Sequence, residues 1–290
     1  MPATITPTLR LHTARTPARG PAAAGAAAAA VAAVVAAASW RRLESREGLA
    51  LSVPRHGVIM GTYLLFALPF LLLAMWASYR VKSTFAHYNQ QPIRSGVSGA
   101  EAAQIILRAA GITDVGIEVA PGMLSDHYDP AKKVVALSAE VLNGRTQAAV
   151  AVAAHEVGHA IQHAQAYAPM QARSALVPVV GLINTLAMPM FLAGIFMHLP
   201  GLALVAVIAY GAGTLFHLVT LPVEFDASRR AIQILERSGI ATADEMVGVR
   251  KTLFAAGFTY VAATLVSLVD LIYWLWRAGL IGGAARSDEA

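Results

Sequence analysis

The chain of 290 residues has a mean hydropathy of +0.57 and only 13% charged residues. Soluble domains are roughly a quarter charged, so this composition excludes an ordinary soluble protein and indicates a membrane protein. The absence of cysteine excludes disulfides and leaves His and carboxylate side chains as metal ligands. The net charge of +5 comes without a dense basic run, so we interpret it as loop charge beside a membrane and expect no nucleic-acid partner.

Residues 1–57 differ in composition from the rest of the chain. Pro, Thr, Ala and Arg dominate the first twenty residues, and an Ala-rich run follows from Ala22 to Ser39. Three interpretations compete: a weak extra membrane span, an Arg-rich targeting segment, and a low-complexity extension that is disordered or dispensable. We favour the third, with Met60 as a plausible start of the working protein.

Long uncharged stretches predict about four transmembrane helices. Residues 58–79 contain no charged side chain, and neither do residues 174–223. A helix needs about 20 residues to cross the hydrocarbon core, so the second stretch is long enough for a hairpin of two helices. His198-Leu199-Pro200-Gly201 is the expected turn between them. Residues 252–277 form the last predicted span, and residues 278–290 the tail.

Residues 80–173 are predicted to form a small α+β domain. Ser98-Gly99-Ala100-Glu101 is a capping box that opens a helix ending at Gly111. Residues 116–119 and 133–138 are interpreted as strands, with residues 126–130 as the loop before the second strand. A helix, a short sheet and then a helix with an HExxH motif is the order expected for a zincin-like domain.

The HExxH motif is His155-Glu156-Val157-Gly158-His159, inside an apolar helix that ends near Ala164. Two histidines four residues apart lie on the same helix face, so both imidazoles can reach one zinc ion. Glu156 stands where a metalloprotease keeps its general base. A chance match is the alternative, but a carboxylate among Ala and Val would be costly without a role. The motif therefore predicts a zinc site.

A catalytic zinc needs a third protein ligand and an open position. His163 continues the spacing but lies a further turn from the metal, so we expect it to line the cleft or support a ligand. Glu224 is the better candidate, because it follows the third span directly. A cytoplasmic helix predicted over residues 224–251 would carry Glu224 back to the zinc helix.

The basic residues predict the orientation of the chain in the membrane. Those of the two polar segments are Lys132, Lys133, Arg145, Arg173, Arg229, Arg230, Arg237, Arg250 and Lys251, whereas the hairpin turn is uncharged. By the positive-inside rule, both segments and the active site face the cytoplasm. The Arg residues of 1–57 argue against this orientation if that extension is present.

The segments DHYDP, AAHEVGHAIQHAQAYAP, RSALVPV and LVTLPVEFDASRRA resemble the YugP-like family of membrane neutral zinc metallopeptidases. The similarity covers residues 60–276. It implies an integral membrane zinc peptidase with one catalytic Zn²⁺, which we expect in the inner membrane of a bacterium. We further expect a protein or peptide substrate that is itself associated with the membrane.

A more distant resemblance is to the HtpX-type membrane proteases, whose HExxH is completed by a Glu-Phe-x-Ala-Asp segment. It implies His155, His159 and Glu224 as ligands and Glu156 as the base. The chain departs from that pattern at Ser228, where those proteases have Asp. Aspartate would accept a hydrogen bond from a ligand histidine, and serine is a weaker, neutral partner. The neighbouring Asp226 is the alternative partner.

The expected fold is therefore a mainly α membrane protein with about four transmembrane helices and a small cytoplasmic α+β zincin-like domain. The expected function is peptide hydrolysis by zinc-activated water with Glu156 as base. His127, Tyr128 and Arg229 are candidate donors to the oxyanion or the substrate, although residues 127–128 could equally form a structural turn. The strand at 133–138 could be an edge that aligns an extended substrate. The alternatives are a non-enzymatic scaffold or chaperone-like protein with a structural zinc site, and a zinc transporter.

Overall fold

The computed structural model describes residues 56–278, 280 and 281, so the predictions for residues 1–55 and for most of the tail lie outside the described residues. The described part of the chain forms seven helices and one three-stranded sheet. Its elements are α1 (His56–Tyr88), α2 (Gly99–Ala109), β1 (Gly116–Ala120), β2 (His127–Asp129), β3 (Val134–Ser138), α3 (Ala139–Asn143), α4 (Gln147–Ala164), α5 (Ala168–Phe196), α6 (Pro200–Ser238) and α7 (Glu245–Arg277).

Among the described residues, three helical segments are long and apolar enough to cross a membrane: Leu65–Tyr88, Gly201–Ser238 and Glu245–Arg277. Helix α5 adds a fourth if its two halves, Ala168–Ile183 and Thr185–Gly194, form one span despite a bend of 45°. Proline lacks the N–H that an inner turn requires, and α5 contains two internal prolines. The prediction of a mainly α membrane protein is confirmed, with three to four candidate spans among the described residues where about four were predicted.

The helices that cross the membrane extend further than their apolar sequence. Helix α1 continues to Tyr88, and α6 runs without a break through Glu224 to Ser238. Residues 224–251 are therefore the end of α6 and the beginning of α7, and the separate helix predicted there is absent. A change from apolar to charged side chains marks where a helix leaves the membrane, but it breaks no backbone hydrogen bond. Helix α6 ends only at Gly239, in the left-handed conformation that favours glycine.

Hydrogen bonds and ring stacking connect the membrane helices at the end remote from the HExxH motif. Asp270 of α7 accepts hydrogen bonds from the hydroxyl of Tyr63 in α1, at 3.2 Å, and from the hydroxyl of Tyr210 in α6, at 3.1 Å. The ring of Trp274, one turn further along α7, stacks on Tyr210 and on Phe191 of α5. A carboxylate in a span thus finds polar partners on two neighbouring helices.

The capping box predicted at Ser98 is confirmed. The Glu101 N–H donates to Ser98 Oγ at 3.2 Å, and the Ser98 N–H donates to a Glu101 carboxylate oxygen at 2.7 Å. Helix α2 begins at Gly99, and its buried face covers α4.

The sheet has the order β1-β3-β2, with β1 parallel and β2 antiparallel to β3. Residues 127–129, predicted as a loop, form strand β2. The strand predicted at 133–138 is central rather than an edge, so it cannot align a substrate by strand addition. Its run of Val135, Ala136 and Leu137 is buried throughout, and such continuous burial is typical of a central strand.

Helix α4, which carries the HExxH motif, lies at the centre of the packing around that motif. It packs against α2, α6 and α7. Three of its alanines, Ala148, Ala151 and Ala154, have no exposed surface. Because alanine side chains are short, neighbouring helices can approach α4 from several sides. The Ala-rich sequence around HExxH therefore positions the motif in a closely packed core.

Candidate metal centre

Helix α4 presents the two histidines on one face. The Thr146 hydroxyl caps the helix by accepting from the Ala149 N–H at 3.2 Å. The imidazole rings of His155 and His159 lie one turn apart, with their centroids separated by 4.7 Å. The helical spacing alone thus accounts for two convergent nitrogen donors.

Glu224 reaches the two histidines from α6. Its Oε2 atom lies 3.2 Å from His155 Nε2 and 3.6 Å from His159 Nε2. One potential ligand atom from each of the three residues lies within 4.8 Å of the others. Two imidazole nitrogens and one carboxylate oxygen are a donor set that suits a catalytic zinc. These three residues therefore form a possible metal site, in agreement with the sequence prediction.

Gly158 explains how α6 comes close enough to supply Glu224. A Cβ atom on Gly158 would lie only 2.7 Å from the carbonyl oxygen of Ala227, one turn beyond Glu224. Ala227 itself is fully buried. The glycine inside the HEVGH segment is thus the contact point between the helix that carries the two histidines and the helix that carries Glu224.

Each histidine of the possible metal site has a hydrogen-bond partner on its other ring nitrogen. Ser228 Oγ lies 3.1 Å from His155 Nδ1, and Gln162 Oε1 lies 3.0 Å from His159 Nδ1. Since the amide oxygen can only accept, His159 donates from Nδ1 and leaves Nε2 free to bind a metal. Ser228 was predicted from the family resemblance. Gln162 was not, because no feature of the sequence singled it out.

Asp226 does not contact His155, but it reaches the site indirectly. Its carboxylate accepts a hydrogen bond from Gln162 Nε2 at 3.0 Å, and the same amide donates to the Val223 carbonyl at 2.8 Å. Asp226 also pairs with Arg229 and Arg230. Its carboxylate thus fixes Gln162, which in turn orients His159.

Glu156 lies beside the ligands and is itself buried. Its side chain lines the same cavity as His155, His159 and Glu224, and only 7% of the residue is exposed. Burial raises the pKa of the Glu156 carboxyl to about 7. A carboxyl group in this environment can exchange protons at neutral pH.

The cavity over the ligands has a volume of about 200 Å³. His127 and Tyr128, the candidate donors named from the sequence, line it together with Arg173 of α5 and Tyr260 of α7. Arg173 Nη1 lies 3.1 Å from Glu224 Oε1. Sequence reasoning counted Arg173 only as loop charge, although it opens the family-like segment RSALVPV. Tyr260 carried no signal, because tyrosines are common in spans.

Two other predicted contacts lie outside this cavity. Arg229 is paired with Asp226, which its i,i+3 spacing favours, and 69% of its side chain is exposed. His163 Nδ1 lies 2.8 Å from the Tyr128 hydroxyl, so His163 supports a residue of the cavity wall. His127, in contrast, lines the cavity, and its Nδ1 atom lies 2.8 Å from the Ser125 carbonyl oxygen.

Comparison with known proteins agrees with this geometry. Residues 63–279 match the family model described as "Putative neutral zinc metallopeptidase". Over 200 residues the chain is 44% identical to "Putative membrane protease YugP" of Bacillus subtilis (strain 168), which covers 69% of this chain and 89% of that protein. No solved structure matches the chain.

Proposed function

The chain belongs to this family of neutral zinc metallopeptidases, and from that premise we propose that it is a zinc endopeptidase that cleaves peptides beside the membrane. The observation that carries the proposal is that three potential metal donors, two imidazoles and one carboxylate, meet beside a second carboxylate, Glu156. His155, His159 and Glu224 converge from two helices, and Glu156 lines the same cavity. The cavity leaves one side of this cluster open, as a catalytic site requires.

The residues of the site support a hydrolytic mechanism. Zinc held by His155, His159 and Glu224 would polarise the scissile carbonyl and make water a stronger acid. Glu156 accepts a proton from the attacking water as the new C–O bond forms. It then returns that proton to the amine nitrogen as the C–N bond breaks. Burial of Glu156 excludes bulk water, which would otherwise compete for the proton.

Negative charge on the carbonyl oxygen needs a further partner in the transition state. Arg173 is the cation closest to the ligands in this cavity, with its Nη1 atom 3.1 Å from Glu224. Tyr260 and His127 line the same wall. Arg173 is therefore favoured over Arg229 as the group that stabilises the oxyanion, and preorganised donors of this kind contribute about 10²-fold or more in kcat.

The depth of the site supports a substrate associated with the membrane. Trp76 of α1 packs edge-on against Phe258 of α7, with 5.5 Å between ring centroids. The Arg80 guanidinium lies over the Trp76 ring at 5.5 Å. Aromatic rings beside a cation are typical of the bilayer surface. Tyr260 follows Phe258 by two residues, and Phe225, next to Glu224, is 45% exposed. These contacts support cleavage at headgroup level.

The charge distribution supports an active site that faces the cytoplasm of a bacterial cell. The C-terminal ends of α1 and α6 and the N-terminal ends of α5 and α7 all lie on the side of the metal centre. They carry basic residues such as Lys82, Arg237 and Lys251, whereas the turn at 197–199 between α5 and α6 is uncharged. By the positive-inside rule, the basic side is cytoplasmic.

The test compares detergent-purified wild type with Glu156→Gln, using casein and a peptide mixture as substrates and measuring bound zinc on both. We expect one zinc per chain in each protein and a loss of cleavage of at least about 10²-fold in the variant, because the base is missing. Glu118→Gln, the same change at an exposed carboxylate of β1, is the matched control. Bound zinc without cleavage by any of the three proteins would favour a non-enzymatic scaffold. Wild type without zinc would contradict the ligand assignment.

A further inference from the structure

A second cavity, of about 220 Å³, adjoins the first at the metal centre. The two cavities share His155, Glu156, Glu224, Tyr260 and Asp126 in their walls. Because two of the three candidate ligands and the same base border both, the cavities are the two halves of one cleft that crosses the site. A peptide whose scissile bond lies over Glu156 would extend into both halves.

The two halves differ in chemistry. The second is walled mostly by apolar side chains: Val81 and Phe85 of α1, Val152 of α4, and Leu253, Ala256 and Gly257 of α7. Thr252 and Thr259 of α7 also line it, but their hydroxyls donate to carbonyl groups of their own helix. We call it the apolar chamber. The first half instead carries Arg173, Ser174 and His127. A substrate therefore meets apolar surface on one side of the scissile bond and hydrogen-bonding groups on the other.

Small residues on α7 make room for the chamber. Ala256 has only a methyl group, and Gly257 has none. A Cβ atom on Gly257 would come within 3.4 Å of the Phe225 ring. A Cβ atom at Gly257 would thus face α6, whereas a larger side chain at Ala256, which lines the chamber, would fill the space beside the base. The wall opposite is Phe85, which is only 5% exposed and belongs to the core.

We propose that the apolar chamber binds one bulky aliphatic or aromatic side chain of the substrate, next to the scissile bond and always on the same side of it. This inference rests on the proposed peptidase function and names its substrate class: extended peptide segments with a Leu- or Phe-sized residue at the cleavage site. Such residues are abundant in membrane spans and at their ends, where the proposed site would act.

The test is a cleavage profile of the zinc-loaded full chain on a complex peptide mixture, read by mass spectrometry. We expect bulky apolar residues to be enriched at one position adjoining the cleaved bond. Ala256→Leu fills the chamber. It should lower the ratio of kcat/KM for a leucine peptide to that for the matching glycine peptide by about tenfold or more, since single methylenes in apolar pockets change specificity on that scale.

Ser174→Leu is the matched control, because it adds similar bulk to the other half of the cleft. It should leave that ratio within about threefold of wild type, since the chamber is unchanged. Val152→Ala provides a second variant that removes atoms. It enlarges the chamber and should move the preference from leucine towards phenylalanine and tryptophan. Zinc content and melting temperature establish that each variant is folded.

Absence of any apolar enrichment in wild type, or an equal loss of the ratio in Ala256→Leu and Ser174→Leu, would overturn the proposal. Absence of cleavage by zinc-loaded wild type would instead count against the peptidase function. In that case, the chamber is tested by binding: fluorescence polarisation measures the affinity of Glu156→Gln for the labelled leucine and glycine peptides. Tighter leucine binding that Ala256→Leu removes would support the chamber, and equal binding of both peptides would overturn it.

Discussion

Gly158→Ala tests whether the closeness of α4 and α6 holds the metal ligands in place. The added Cβ would lie 2.7 Å from the Ala227 carbonyl oxygen, whereas ordinary contacts begin at 3.4 Å. The two helices must therefore separate by the difference, 3.4 − 2.7 = 0.7 Å, unless the backbone bends. A zinc site tolerates deviations of only about 0.2 Å in its ligand distances. Glu224 belongs to α6 and moves with it, so its distance from His155 and His159 should increase beyond that tolerance.

The expected result is a variant that folds but binds zinc at least about tenfold more weakly, as measured by competition with a chromogenic chelator. The overpacked contact should also cost about 1–3 kcal/mol in the zinc-free protein, seen as a lower melting temperature. Alanine is the better helix former by about 1 kcal/mol, so a loss of stability would oppose the intrinsic preference.

Gly181→Ala is the matched control, because a Cβ there meets nothing within 4 Å. This change in α5 should leave zinc affinity unaltered and should not lower the melting temperature. If Gly158→Ala bound zinc as tightly as wild type and melted at the same temperature, the helix contact would not be what positions Glu224. The geometric reasoning would then be refuted.

Three further predictions concern the surroundings of the metal. Ser228→Ala removes the partner of His155 Nδ1 and should raise the Kd for zinc about tenfold in the same chelator competition; an unchanged Kd would rule out this support. Gln162→Leu leaves His159 Nδ1 buried without its partner and should lower the free energy of unfolding by about 2 kcal/mol in an SDS titration. Zinc at a hundred times its Kd should raise the free energy of unfolding by about 2.7 kcal/mol, and the same addition to Glu224→Ala should raise it far less.

The partners of the ligand histidines have a chemical consequence. Ser228 and Gln162 are both neutral, so neither strengthens its histidine as a carboxylate would. The nearby carboxylate, Asp226, is neutralised by Arg229 and Arg230 instead. The site therefore keeps a hydrogen bond to each histidine without placing another negative charge beside Glu224.

The sequence alone determined the features that depend on local spacing and composition. The two histidines share a helix face because they are four residues apart, and the capping box at Ser98 closes over three residues. The spans follow from long uncharged stretches, because a charge in hydrocarbon is costly. Glu224 was predicted from its place at the end of a span and from the family resemblance.

Only the tertiary structure decided which residues from distant elements meet. Arg173 and Tyr260 reach the ligands because α5 and α7 pack beside α4, and no periodicity encodes such a meeting. The strand at 133–138 is central because a three-residue strand, too short to show an alternating pattern, pairs with its second edge. Helix α6 continues past Glu224 because packing against α4 and α7 stabilises its polar end. Local pattern sets the elements, whereas contacts between residues far apart in sequence set the site.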